Sequence, residues 1–99
     1  MKVAVGVWQI KGNYRDEFIS LSKDIAQQSK TENGLLSYSF SESKAKKNEF
    51  IFLEEWKDDK AIENHVSQDY FNSFIEKTKV MLEEDFSGKI YEVTTIEKF

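Results

Sequence analysis

The chain has no cysteine, no proline, only four glycines and a single histidine. Without cysteine there is no disulfide framework, no thiolate metal site and no cysteine nucleophile. That lack also suits a reducing compartment. So few glycines leave no glycine-rich loop of the kind that cradles a phosphate or a dinucleotide. One histidine among scattered carboxylates gives none of the histidine-rich spacings that transition metals prefer, so no metal site is expected. No apolar stretch approaches the ~20 residues of a membrane span. The apolar opening of MKVAVGVWQIKGNYRDEF runs at once into charge with no small-residue cleavage site, so no signal peptide is expected and the chain reads as cytoplasmic. Positive charge is also in short supply. Fourteen Lys and Arg against eighteen Asp and Glu give a net charge of −4, which disfavours a nucleic-acid partner. The one basic cluster, Lys44, Lys46 and Lys47 beside Asn48, lies between two apolar runs and reads as a solvated hairpin tip.

What is present is an ordinary globular balance, 39% hydrophobic and 32% charged residues, with no disordered signature. Ninety-nine residues make one domain, residues 1–99, and a chain of that size buries only roughly 60–70% of its unfolded surface. Its own core is modest, so a partner surface would help. Eight Phe, four Tyr and two Trp exceed the needs of one small core, which leaves some for an interface or a pocket.

Periodicity gives the order strand, helix, strand, strand, helix, strand. Residues 2–10 alternate Val3, Val5 and Val7 with Ala4, Gly6 and Trp8, apolar on both faces. Gly12-Asn13 signals a turn, with Asn13 as N-cap and Asp16 and Glu17 in the first helical turn. A helix over 14–31 is expected, stopped by Asn33-Gly34. Residues 35–43 place Leu36, Tyr38 and Phe40 opposite Leu35, Ser37 and Ser39. Residues 49–57 place Phe50, Phe52, Glu54 and Trp56 opposite Ile51, Leu53 and Glu55. Asp58-Asp59 opens a second helical stretch that pauses around residues 67–69 and resumes through Tyr70, Phe71, Phe74 and Met81. Ser87-Gly88 ends it, and a last strand is expected over 89–97.

This is the βαββαβ order of the ferredoxin-like α+β fold, two helical stretches over one face of a four-stranded antiparallel sheet. A one-sided sheet should alternate apolar and polar residues. Here apolar residues point to both sides, and an uncovered apolar face marks an interface. Two such sheets packed face to face would cover it, so a homodimer is expected.

The segment from Phe50 to Phe74, FIFLEEWKDDKAIENHVSQDYFNSF, closely resembles the antibiotic biosynthesis monooxygenase family. The matching positions are Glu54, Trp56, Ala61, His65, Ser67, Phe71 and Phe74. Glu32-Asn33-Gly34-Leu35-Leu36-Ser37-Tyr38 is similar to that family's Glu-x-Gly-x-x-x-Tyr approach to its second strand. The resemblance implies the dimeric α/β barrel. It also implies one of several activities: cofactor-free quinol or anthrone monooxygenases, a phosphorylated-sugar-dione isomerase, haem-degrading enzymes, and members with no known activity. The haem-degrading branch is disfavoured. Its Trp, iron-ligand and Asn positions fall on His65, near Ile75 and near Val5 in this chain.

The reading that follows is a monooxygenase using no cofactor, acting on a small quinol-type aromatic with dioxygen. His65 is the candidate catalytic residue, because an imidazole suits transfer of a phenolic proton at neutral pH. Trp56, Tyr38, Glu54, Phe71 and Phe74 are candidate substrate-binding residues. Each has a structural alternative. A lone histidine is often merely packed, Glu54 would partner Trp56 or His65 or cap the backbone, Trp56 would fill core, and Tyr38 with Phe40 would line a cavity or the dimer seam. An isomerase working through an enediol and a non-catalytic dimeric ligand binder remain open at this level.

Overall fold

The structure is a computed structural model and describes residues 1–99. Its strands are β1 (Lys2–Gln9), β2 (Leu35–Glu42), β3 (Glu49–Trp56) and β4 (Ser87–Glu92). Its helices are α1 (Arg15–Ser29), α2 (Asp59–Val66) and α3 (Asp69–Thr78). The four strands form one sheet in the order β2-β3-β1-β4, every neighbouring pair antiparallel. This is the ferredoxin-like α+β arrangement expected from the periodicity.

The alternation assigns the faces. Trp8 pairs with Phe50, Gly6 with Phe52 and Ala4 with Glu54, while Tyr38 and Phe40 pair with Glu54 and Phe52. All of these share the helix side, where Phe50 and Phe52 are buried with Trp8, Phe18, Ile25 and Phe74. Phe18 of α1 is the hub, with ring centroids 5.1 Å from Phe50, 5.6 Å from Trp8 and 6.0 Å from Phe74. Burying such a side chain is worth about 1.5–3 kcal/mol, with a further ~0.5–1.5 kcal/mol for a well-placed aromatic pair. The opposite face carries Val3, Val5, Val7, Ile51, Leu53 and Tyr91, with Ser37, Ser39 and Ser41 along β2. No helix lies on it.

Several boundaries differ from the sequence expectation. The first helix covers Arg15–Ser29 rather than 14–31, because a 3₁₀ turn over Gly12–Tyr14 precedes it. Asn13 is therefore not the cap, and the helix has no side-chain cap at all. Gly34 adopts no left-handed conformation, so it does not stop the helix in that way. A Cβ there would lie 2.3 Å from the Ala61 Cβ, so glycine is needed for contact with α2. The pause near residue 67 is real and splits the second stretch into α2 and α3. Asp58 caps α2 by accepting the Ala61 N–H at 2.9 Å. The stretch ends in a 3₁₀ turn at Met81, and Ser87 and Gly88 begin the last strand rather than ending the helix. That strand stops at Glu92, not 97. Val93 still exchanges hydrogen bonds with Met1, outside the paired strand.

Candidate active site

The site forms where α2 crosses the far ends of β3 and β1. Glu54 and Trp56 are two apart on β3, so they share the helix face. Trp56 is 1% exposed, and its indole N–H donates to Glu54 Oε1 at 3.0 Å. The indole is thus committed to the carboxyl and does not point a donor into open space. Glu54 is a partner of Trp56, one of the alternatives open for it.

His65 lies in the last turn of α2 and is 3% exposed. Its ring stands 4.6 Å from Trp56 and 5.0 Å from Phe71, centroid to centroid. Its Nδ1 lies 2.7 Å from Glu32 Oε2, and both side chains are buried. An ionised carboxylate only accepts, so the bond fixes the proton on Nδ1 and leaves Nε2 as the ring's free nitrogen. Glu32 takes further hydrogen bonds from the Tyr70 hydroxyl and from Asn64 Nδ2 at 3.3 Å. A buried charge needs that degree of satisfaction. Sequence reasoning gave Glu32 no role in the site, nor did it single out Tyr70. The available hint was the position of Glu32 at the head of the Glu-x-Gly-x-x-x-Tyr stretch.

Two cavities flank these residues. One, of about 310 Å³, is lined by Glu54, Trp56, His65 and Phe71, with Ile62 and Phe86 among its other walls. A smaller one of about 90 Å³ has walls from Trp8, Tyr38, Phe52, Glu54, Phe71 and Phe74. Four of the six candidate residues therefore meet at the larger cavity. Tyr38 and Phe74 belong to the smaller one, and Phe74 is also part of the core. Phe40 stacks on Phe52 at 5.5 Å on the helix side, away from the open sheet face. Tyr91 lies on that open face, paired with Val3.

Burial controls the electrostatics. It pushes the Glu54 carboxyl above the ordinary carboxylate range, helped by the nearby Glu32 charge and opposed by the Trp56 hydrogen bond and by His65. Burial also raises the Tyr38 phenol, with the Glu54 charge adding to it. The Tyr70 phenol rises through burial and its bond to Glu32. Both phenols stay neutral donors. No three His, Asp or Glu side chains converge as a metal site would need. The arrangement offers an apolar cavity, an imidazole whose tautomer is set by a carboxylate, and a second carboxyl whose proton is held more tightly because it is buried.

The family model for "antibiotic biosynthesis monooxygenase" matches residues 1–77. An uncharacterized Synechocystis protein, sll1783, is 35% identical over 92% of this chain, which spans 62% of that protein's length. The Bacillus subtilis protein YcnE, named as a candidate monooxygenase, is 34% identical over 75% of this chain and 78% of its own. Among solved structures, a candidate antibiotic biosynthesis monooxygenase from Deinococcus radiodurans has a TM-score of 0.94 at 22% identity, covering 100% of this chain and 98% of that one. One from Nitrosomonas europaea has a TM-score of 0.89 at 19% identity, covering 96% and 100%. At those identities the structural likeness concerns the fold alone, while the family model and the two curated relatives concern descent: the chain belongs to the antibiotic biosynthesis monooxygenase family.

Proposed function

We propose that the chain is a monooxygenase needing no bound cofactor, working as one domain, with a small dihydroxybenzene-type aromatic and dioxygen as its substrates. The observation that carries this reading is the buried His65, held at Nδ1 by the Glu32 carboxylate, on the wall of a cavity of about 310 Å³. That volume lies at the lower end of the ~300–1,000 Å³ of small-molecule sites. Family membership and the name of the Bacillus relative support the oxygenase class.

The chemistry asks little of the protein. Nε2 of His65 takes the proton of a substrate hydroxyl, and Glu32 stabilises the resulting imidazolium. The electron-rich phenolate supplies the electrons that dioxygen needs. One oxygen atom bonds to a ring carbon and the other leaves as water, with protons returned by the imidazolium and the ring. A dihydroxybenzene and dioxygen thereby give a hydroxyquinone and water. Trp56 and Phe71 line the cavity beside the substrate ring, Tyr38 and Phe74 close the inner wall, and the Glu54 carboxyl, whose proton is held more tightly because it is buried, faces the same space. Two copies pack through the open sheet face, whose Val5 and Lys89 also border the larger cavity.

Oxygen uptake with a panel of reduced quinones and anthrone-like phenols tests the reading. Uptake above autoxidation is expected, falling at least about tenfold in His65→Ala, which corresponds to about 1.4 kcal/mol of barrier. Glu32→Gln keeps an acceptor for Nδ1 but removes the charge, so a smaller loss, mainly in kcat, is expected. Uptake no faster than autoxidation across the panel would refute the oxygenase and leave the enediol isomerase or a ligand binder.

A further inference from the structure

The two cavities share four wall residues, Gly6, Glu54, Phe71 and Phe86. Glu54 is tied to Trp56, Phe71 sits on α3, and Gly6 has no side chain. Phe86 is the remaining member, placed between the 3₁₀ turn at Met81 and β4. Its ring rests in a recess made for it. Gly6 and Gly88 are cross-strand partners, and both lie under the ring. A Cβ on Gly6 would come 3.0 Å from Phe86 Cε2, and one on Gly88 2.9 Å from Cζ. Neither glycine has a positive φ, so what these positions require is space, not backbone freedom. The ring also meets Trp8, centroids 4.6 Å apart. Phe86 nevertheless remains 47% exposed, so it can leave the recess without opening the core, and exposed side chains change rotamer within ps–ns.

On one side of Phe86 lies the compartment with His65, Trp56 and Glu54. On the other lies the space of about 90 Å³ between Trp8, Tyr38, Phe52 and Phe74, the size of a short alkyl chain. We propose that Phe86 is the specificity-determining gate of the site. With the ring in the glycine recess, the site accepts a compact single aromatic ring. With the ring displaced, an apolar tail on that ring enters the inner compartment. This builds on the proposed aromatic-binding role of the His65 cavity, and its test does not depend on turnover.

The probes are toluene, butylbenzene and hexylbenzene, with binding followed by tryptophan fluorescence, since Trp8 and Trp56 each line one compartment. The wild-type protein is expected to gain little affinity as the chain lengthens. Phe86→Ala is expected to bind butylbenzene at least about tenfold more tightly than the wild type, with toluene changed far less. Phe86→Leu keeps contact with Trp8 but lacks a flat ring, so a smaller shift in the same direction is expected; it decides the matter if the alanine variant loses its near-UV circular dichroism. The same chain-length dependence in all three proteins overturns the gate, and so does absence of binding by all three. If oxygen uptake fails while the chain-length discrimination holds, the oxygenase reading falls and the gate stands.

Discussion

At the scale of single residues, the site turns on two carboxyls placed where water is scarce. Glu32 is satisfied by three donors, from His65, Tyr70 and Asn64, whereas Glu54 has the Trp56 indole alone among protein donors. Burial therefore raises the Glu54 carboxyl. A carboxyl whose folded-state pKa exceeds its unfolded value stabilises most at low pH, and that contribution is lost as pH rises through the folded value. Glu54→Gln removes the charge while its amide oxygen can still accept from Trp56. Its melting temperature, relative to wild type, is expected to climb as pH rises above the ordinary carboxylate range; an offset that does not change with pH there would refute the assignment. The Glu54–Trp56 pair was legible in the sequence, because residues two apart on a strand share a face. Glu32 was not. It lies 33 positions from His65, and a charged residue just past a helix end reads as solvated until the fold brings α2 over it.

At the scale of elements, Gly34 and Ala61 do the joining. The turn before β2 carries Glu32 and Gly34, and α2 carries Ala61 and His65, so the closeness of the two backbones sets how near the carboxylate stands to the imidazole. Gly34→Ala would drive its Cβ to 2.3 Å from that of Ala61 and 3.3 Å from its Cα. Neither atom can move without the helix. The expected cost is about 1–3 kcal/mol in urea denaturation, the usual range for overpacking. Ala61→Gly in the same chain is expected to return part of it, offset by about 1 kcal/mol for glycine inside a helix. Strictly additive losses in the double variant would rule out the contact as the cause. The strand and helix order was readable because the periods of two and near 3.6 are local properties of the chain. The end of β4 was not, since Val93, Thr94 and Ile96 continue a strand-like composition past Glu92, where the strand stops. The helix start departs from the sequence pattern through local backbone geometry. Asn13 has a capping side chain, but the chain tightens into a 3₁₀ turn there and joins α1 without one.

At the scale of the whole molecule, the side of the sheet the helices do not cover carries an apolar strip flanked by Glu55 of β3 and Lys89 of β4, and this strip bears on assembly. Val3, Val5 and Val7 of β1 stand beside Ile51 and Leu53 of β3, with Tyr91 of β4 next to Val3. Leu53 and Tyr91 are 47% and 50% exposed. The serines of β2 make the far edge of the face polar, so the apolar strip is centred on β1 and β3, as a self-complementary contact about a twofold axis would place it. Light scattering at micromolar concentration is expected to give twice the 11.6 kDa chain mass. Leu53→Glu puts a charge at the middle of the strip, where each copy would meet it desolvated, and a mass of one chain is expected. The substitution costs the isolated chain little, because the side chain is already half in water, so its circular dichroism should be unchanged. Val80→Glu is the matched control: it also charges an exposed apolar position, 60% exposed, but on the 3₁₀ turn after α3 and outside the four strands. A wild type at one chain mass would overturn the dimer. Equal dissociation by both variants would show that added negative charge, rather than this face, separates the copies of a chain that already carries −4.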